Sequence, residues 1–303
     1  MSASPAEDTG PRPERGRRAI VVGLDASPLS VSGLRMAAVV ARRWGVRVEA
    51  VHVEDAAVAR LSSHPGVVTV CGLTARSRPL ALAPETITAA LSAQARAARD
   101  AVEAAKALLR RRAGEGGEAE LVFRSRRGGV TRELRAVADE AAPSLLVVGW
   151  TGQSRARWHR AHGIRLGSTA RALVQDPSAD RVLVVRGELE ADAPLLVPFD
   201  GSDAARRALD AACTLAEDGP AERVAVLAFG DADALAAAAR DICAAHGTVP
   251  RVQALPPLTL ARLVRIADFP EALLVLPAQL PMTLGLSTPD LIDRLGCSVL
   301  LVR

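Results

Sequence analysis

The chain contains no tyrosine, and aromatic residues make up only 2% of its 303 positions. Binding of single strands by stacking bases on a row of rings is therefore excluded. Lysine is nearly missing as well. Lys106 is the only one, and arginine supplies the rest of the 38 basic residues, which 34 acidic residues offset to a net charge of +4. A nucleic-acid groove would need those cations gathered on one face. The clusters present, Arg110-Arg111-Arg112 and Arg124-Ser125-Arg126-Arg127, are short, and the first suits a helix C-terminus, where cations meet the dipole. Neither nucleic acid nor membrane is an expected partner. The longest apolar runs fall well short of the ~20 residues that a helix needs to cross a bilayer, and residues 1–18 lack the apolar core of a signal peptide and read as a disordered tail. Four cysteines, Cys71, Cys213, Cys243 and Cys297, stand far apart with no C-x-x-C spacing. They read as reduced core thiols of a cytoplasmic protein rather than as a metal site or disulfide framework. The P-loop, the G-x-S-x-G elbow, the H-E-x-x-H zinc motif and the kinase signature set are all missing, so no catalytic residue is assigned.

What is present is a repeat. Residues 21–27 read Val-Val-Gly-Leu-Asp-Ala-Ser, and residues 196–202 read Leu-Val-Pro-Phe-Asp-Gly-Ser. Each apolar run stops at an acidic residue and is followed by a serine that opens a helical pattern. The two halves also end alike, Val-Leu-Val-Val-Arg at 182–186 against Val-Leu-Leu-Val-Arg at 299–303. A period this long means duplicated domains. The spacing predicts a first domain over 19–187, a polar linker over 188–193 and a second, shorter domain over 194–303. In the first, short β-branched runs at 19–24, 46–53, 119–123, 144–148 and 181–186 read as strands. They alternate with helices at 28–44, 84–113, 129–141 and from Ser168. Ser27 followed by Pro28 is a strong helix start, and Met36 and Trp44 fit the core face of that helix. Residues 54–83 read as a long irregular excursion. The second half repeats the cycle with strands at 194–198, 223–228, 249–254, 272–276 and 298–302. Alternation of this kind gives an α/β fold with parallel strands and helices on both faces.

Two constellations carry chemistry. Gly149-Trp150-Thr151-Gly152 follows the fourth strand, and after fourteen residues come Gly167-Ser168-Thr169 at a helix start. Glycines let a backbone approach a ligand, and a helix N-terminus favours an anion. A turn plus a helix cap would leave the same trace. The second is Asp25-Ala26-Ser27 at the end of the first strand, on the same sheet edge. A carboxylate there can take a hydrogen bond from a ribose hydroxyl or a base amine, or it can brace the following helix. His52 reads as strand-packed, and His64, His159, His162 and His246 have no evident partner in sequence.

The Val-Gly-Leu-Asp-Ala-Ser opening, Ala-Val-His-Val at 50–53, Val-Val-Gly-Trp-Thr-Gly, the Gly-Ser-Thr turn and the Val-Leu-Val-Val-Arg ending resemble the universal stress protein family, closely in the first half and loosely in the second. That resemblance implies two tandem open parallel five-stranded sheets of Rossmann-like, adenine-nucleotide alpha hydrolase-like type. It implies ATP, with Mg accompanying it, as ligand. Asp25 and Val53 would hold the adenosine end, Gly149, Gly152, Gly167, Ser168 and Thr169 the ribose and phosphates, and Ala26 and Ser27 complete the set of binding residues. The family's spacing is Gly-x2-Gly-x9-Gly-Ser/Thr, whereas fourteen residues intervene here, among them Arg155, Arg157, His159, Arg160, His162 and Arg165. These cations either clamp a triphosphate or form a solvated lobe. The second half has Pro277-Ala278-Gln279-Leu280-Pro281 in place of a glycine pair, and Leu286 where the family has serine. Proline offers no N–H to a phosphate, so this half is expected to bind no nucleotide and to act as a pseudo-dimer mate. Members of the family commonly dimerise through the last strand, which a fused pair could do internally. Three functions follow from the resemblance: a nucleotide-responsive regulator of an unknown protein partner, as monomer or homodimer; a slow ATPase or phosphotransferase; and a nucleotide-free scaffold.

Overall fold

A computed structural model describes residues 19–61, 84–112, 120–141, 145–152, 165–177, 179–190, 192–217, 219 and 222–303. The 1–18 tail, residues 62–83 of the excursion and residues 153–164 of the lobe lie outside the described residues. So do Cys71, His64, Arg155, Arg157, His159, Arg160 and His162.

The first half runs β1 (Ala19–Gly23), α1 (Pro28–Trp44), β2 (Arg47–Asp55), α2 (Ala56–Leu61), α3 (Pro84–Arg112), β3 (Leu121–Gly128), α4 (Val130–Ala141), β4 (Leu145–Gly149), α5 (Ser168–Gln175) and β5 (Arg181–Val185). The second runs β6 (Leu195–Phe199), α6 (Asp203–Ala216), β7 (Val224–Phe229), α7 (Ala232–Ala244), β8 (Arg251–Leu255), α8 (Leu260–Ile266), β9 (Leu273–Pro277), α9 (Leu280–Thr283), α10 (Thr288–Ile292) and β10 (Ser298–Val302). Local chemistry sets these boundaries. The Ser27 side chain accepts from the Ser30 amide at the head of α1, and Gly45 closes it in the left-handed conformation.

Each half is a parallel five-stranded sheet, ordered β3-β2-β1-β4-β5 and β8-β7-β6-β9-β10. The two are fused edge to edge: β5 pairs antiparallel with β10, Val182 opposite Leu301 and Val184 opposite Val299. The result is one ten-stranded sheet. Its two faces carry separate apolar layers, one with α1, α3, α6 and α7, the other with α4, α5, α8 and α10. Both layers run across the junction, so the halves share their cores. The 188–193 connection is fastened rather than loose. Leu189 is buried and its amide donates to Ser32 Oγ at 3.0 Å.

Three local readings change. β2 continues to Asp55 and α2 follows at once, where the composition suggested only irregular chain. β3 extends through Arg124, Arg126 and Arg127. Apolar pattern misses these residues because β3 is an outer strand, and charge on an outer strand blocks further pairing. Its arginines meet Glu49, Glu140 and Glu54. Trp44 is only half-buried. Its indole donates to the Thr214 carbonyl on α6 at 3.2 Å, so it joins the two halves, whereas Met36 is in the core.

Candidate functional site

In a doubly wound sheet the ligand crevice opens where neighbouring strands send their chains to opposite faces. Here that point lies between β1 and β4, paired with Val21 opposite Leu146. α1 leaves β1 for one face, and the chain after β4 leads to α5 on the other. The candidate residues of the first half gather at this edge.

Asp25 sits two residues beyond β1. Its Oδ1 accepts the Ser27 amide at 3.0 Å, and its carbonyl accepts from Gln94 Nε2 of α3 at 3.1 Å. The turn forces Ala26 to a φ of 58°, a conformation that glycine takes easily and alanine at a cost of roughly 1–2 kcal/mol. Bracing the helix occupies one carboxylate oxygen. The other, Oδ2, faces Gly152: a Cβ added at 152 would stand 2.7 Å from it. The two sequence motifs therefore meet, and any larger residue at 152 would push the Asp25 carboxylate aside. Val53, half-buried near the end of β2, packs toward the α4–α5 layer.

Gly149 closes β4 against the head of α1, where a Cβ would meet Leu29 Cβ at 3.3 Å and the Ser30 amide at 3.4 Å. Trp150 hydrogen-bonds through its amide to the Val185 carbonyl at 2.7 Å, and its own carbonyl accepts from Gly167 at 2.8 Å. The second bond pins the Gly-Ser-Thr turn to the exit of β4. A Cβ at Gly167 would fall 3.2 Å from that carbonyl. Gly167 is the N-cap of α5 and offers no side-chain acceptor to the helix. The first-turn amides of Ser168 and Thr169 thus lie at a helix start whose own N-cap residue provides no side-chain cap, beside two close-packed glycines. That is an arrangement suited to a polyanion.

The same place in the second half is built differently. Asp200 Oδ1 accepts the Ser202 amide at 3.0 Å, a copy of the Asp25 turn, with Gly201 at φ 80° where the first half has alanine. Beyond β9, Pro277 leads into α9, and α10 starts at Ser287. Ser287 caps that helix through the Asp290 amide at 3.3 Å and donates its hydroxyl to Asp290 Oδ2 at 2.5 Å. That helix start is capped by its own serine, which engages the Asp290 amide and leaves it closed to an anion.

Sequence reasoning missed three neighbours of the site. Gln94 is one. Arg186 stacks on Trp150 with its guanidinium carbon 4.1 Å from the ring centroid, and burial lowers its pKa, with Cys297 and Asp293 opposing. Asp293, from the second half, accepts the Leu166 amide at 2.5 Å and ion-pairs with Arg171 of α5 at 2.7 Å. Nothing local in the sequence marks these three, because each acts across 36 residues or more.

Elsewhere, His52 is buried with Nδ1 on the Leu24 carbonyl at 3.0 Å. His246 bridges Glu217 at 2.7 Å and Asp210 at 2.9 Å, partners that no sequence spacing revealed. Cys213, Cys243 and Cys297 are buried and free, and the first two lie 3.1 Å apart. Burial pushes the Cys297 thiol up to about 11. Among the described residues no cluster of three His, Cys, Asp or Glu side chains could hold a metal, and no helix is long and apolar enough to cross a membrane.

With this geometry in hand, comparison with known proteins gives three findings. The model of the Universal stress protein family matches residues 16–186. A universal stress protein of Archaeoglobus fulgidus DSM 4304 superposes over 95% of this chain and 98% of its own, at 17% identity and a TM-score of 0.59. A Pseudomonas aeruginosa UCBPP-PA14 structure assigned to the universal stress proteins covers 94% of this chain and 92% of its own, at 13% identity and a TM-score of 0.53. These likenesses concern the fold. No curated protein matches the chain.

Proposed function

This chain belongs to the universal stress protein family, and from that premise we propose that its first half binds ATP as a regulatory ligand while its second half does not. The observation that carries this reading is the approach of Gly152 to Asp25 beside the uncapped start of α5. The three glycines let the β4 exit pack closely on Asp25, the head of α1 and the start of α5, and the Gly167-Ser168-Thr169 turn supplies the amides and hydroxyls a phosphate chain needs. Asp25 and Val53 line the adenosine end. Mg²⁺ would arrive with the triphosphate, since no cluster among the described residues holds it alone. The bound nucleotide supplies charge and order rather than chemistry. Occupancy fixes the β1 and β4 exits relative to α5 and so alters a surface read by a protein partner, which fits a cytoplasmic stress-response role.

Titration calorimetry with ATP·Mg tests this. The wild type is expected to bind, and Gly152→Val, which drives a branched side chain onto the Asp25 carboxylate, is expected to lose at least 100-fold in affinity while remaining folded by circular dichroism. An absence of heat with wild-type protein, backed by failure of ATP to raise its melting temperature, would refute the reading. A Ser202→Ala variant, in the Asp200-Gly201-Ser202 turn of the second half, should leave affinity unchanged.

A further inference from the structure

We propose that Asp293, in the second half, is a positioning residue of the nucleotide site in the first, and that through it the second half senses occupancy. The inference rests on the nucleotide reading above.

The carboxylate makes two bonds across the junction. Oδ1 accepts the backbone amide of Leu166, and Oδ2 takes the Arg171 guanidinium, whose other nitrogen lies 3.4 Å from Asp290. Leu166 is buried and directly precedes Gly167. Arg171 stands one turn into α5, and its amide closes that turn on the Gly167 carbonyl at 2.8 Å. Asp293 therefore grips the turn from both sides: the residue before the cap and the end of the first turn. An ionised carboxylate is acceptor-only, so it can hold both donors at once without offering a proton to a rival.

A second contact reaches the other limb. Arg186 covers the Trp150 ring, its amide donates to Ser298 Oγ of β10 at 3.1 Å, and it lies within the field of Asp293. Trp150 and Leu166 are the inner flanks of the glycine loop, entry and exit. Trp150 is thus held from the end of β5 and Leu166 from the end of α10. Charge is balanced here, because Arg171 and Arg186 offset Asp293 and Asp290. The carboxylate can accordingly sit near an anion site without repelling the anion strongly.

The consequence is directional. α5 contributes the first-turn amides that meet the phosphates, and their aim depends on where α5 starts. That start is set from the second half. By reciprocity of coupled equilibria, a ligand that tightens the turn must also tighten α10 and β10. A second half that binds no nucleotide itself then has a reason to be present, as the element that registers what the first half holds.

The test uses the full-length chain. ATP·Mg affinity is measured by calorimetry for wild type, Asp293→Ala, Asp293→Asn, Arg171→Met and the Asp293→Ala/Arg171→Met double variant. Amide exchange is followed at 288–302 with and without ATP. Expected are a 10- to 50-fold loss for Asp293→Ala, a loss under threefold for Asp293→Asn, which keeps an acceptor for Leu166, and a loss in the double variant smaller than the product of the two single losses, because the two side chains act through one contact. ATP should slow exchange at 288–302 in wild type and not in Asp293→Ala. A structural role alone would lower stability without moving the ATP-dependent exchange. If wild type binds ATP but Asp293→Ala and Asp293→Asn bind equally well and exchange at 288–302 ignores ATP, this inference fails and the nucleotide reading stands. If wild type binds no ATP, the reading itself fails and takes the inference with it. Should Asp293→Ala not fold, Asp293→Asn and Arg171→Met decide the matter through the exchange readout.

Discussion

Replacing Gly152 by alanine adds one methyl group, and the structure says what it meets. The new Cβ would lie 2.7 Å from Asp25 Oδ2, whereas ordinary contact begins near 3.4 Å, so the carboxylate must retreat by about 0.7 Å. Retreat stretches or breaks the 3.0 Å bond from the Ser27 amide to Oδ1. A hydrogen bond to a charged group contributes about 1.5–3 kcal/mol. Part of that is recovered from water, and alanine also lowers the entropy of the unfolded chain by about 0.4–1 kcal/mol. The net expectation is a destabilisation of about 0.5–1.5 kcal/mol, or a midpoint lowered by about 1–3 °C in a thermal melt. The decisive comparison is a double-mutant cycle with Asp25→Ala. Once the carboxylate is gone the methyl group has nothing to strike, so adding alanine at 152 should become neutral or mildly stabilising. If Gly152→Ala costs as much in the Asp25→Ala background as in wild type, the glycine is not there for Asp25, and the pairing of the two motifs is wrong.

The other expectations are briefer. Ala26→Gly removes a Cβ from a left-handed residue at φ 58° and should stabilise the protein by about 0.5 kcal/mol, measured by chemical denaturation; destabilisation would contradict the turn as described. Arg223 is buried, with Nε on the Ala193 carbonyl at 2.8 Å and Nη1 on the Leu215 carbonyl at 2.6 Å, and desolvation pushes its pKa down to about 10. Arg223→Met strands the Ala193 carbonyl and leaves that of Leu215 only the longer bond from Arg43, and should cost about 1–3 kcal/mol in a urea melt, whereas a loss below 0.5 kcal/mol would show that water replaces the guanidinium. His246 has its pKa raised, first by the hydrogen bond to Glu217 and further by Asp210, against a smaller opposing effect of burial. A group whose folded pKa is raised contributes stability below its unfolded value near 6.5, and that contribution fades as pH climbs through the folded value. The stability gap between wild type and His246→Gln should therefore be wider at pH 5.5 than at pH 9, and a gap that widens with pH would refute the bridge.

Much of this molecule is written locally. Ser27 before Pro28, the β-branched runs and the repeated Asp-x-Ser turn are matters of adjacent residues, of helix capping and of steric preference, and they fix strands and helices wherever the chain later goes. The glycines at 149, 152 and 167 stand out as a local motif, but the groups each one accommodates, the head of α1, the Asp25 carboxylate and the Trp150 carbonyl, come from distant parts of the chain. What only the tertiary structure decided is which groups meet. Periodicity ends after a few turns, whereas Gln94 reaches Asp25, His246 finds Glu217 and Asp210, and Trp44 joins α6 across 170 residues. The pairing of the two sheets through their last strands, β5 and β10, was within reach of the family resemblance, but its antiparallel register was not. An antiparallel seam between strands more than a hundred residues apart follows from burying two apolar edges at once, a demand that only the assembled molecule makes. Asp293 lies beyond sequence reading for that reason too: its meaning depends on a turn 127 residues away, placed beside it by packing alone.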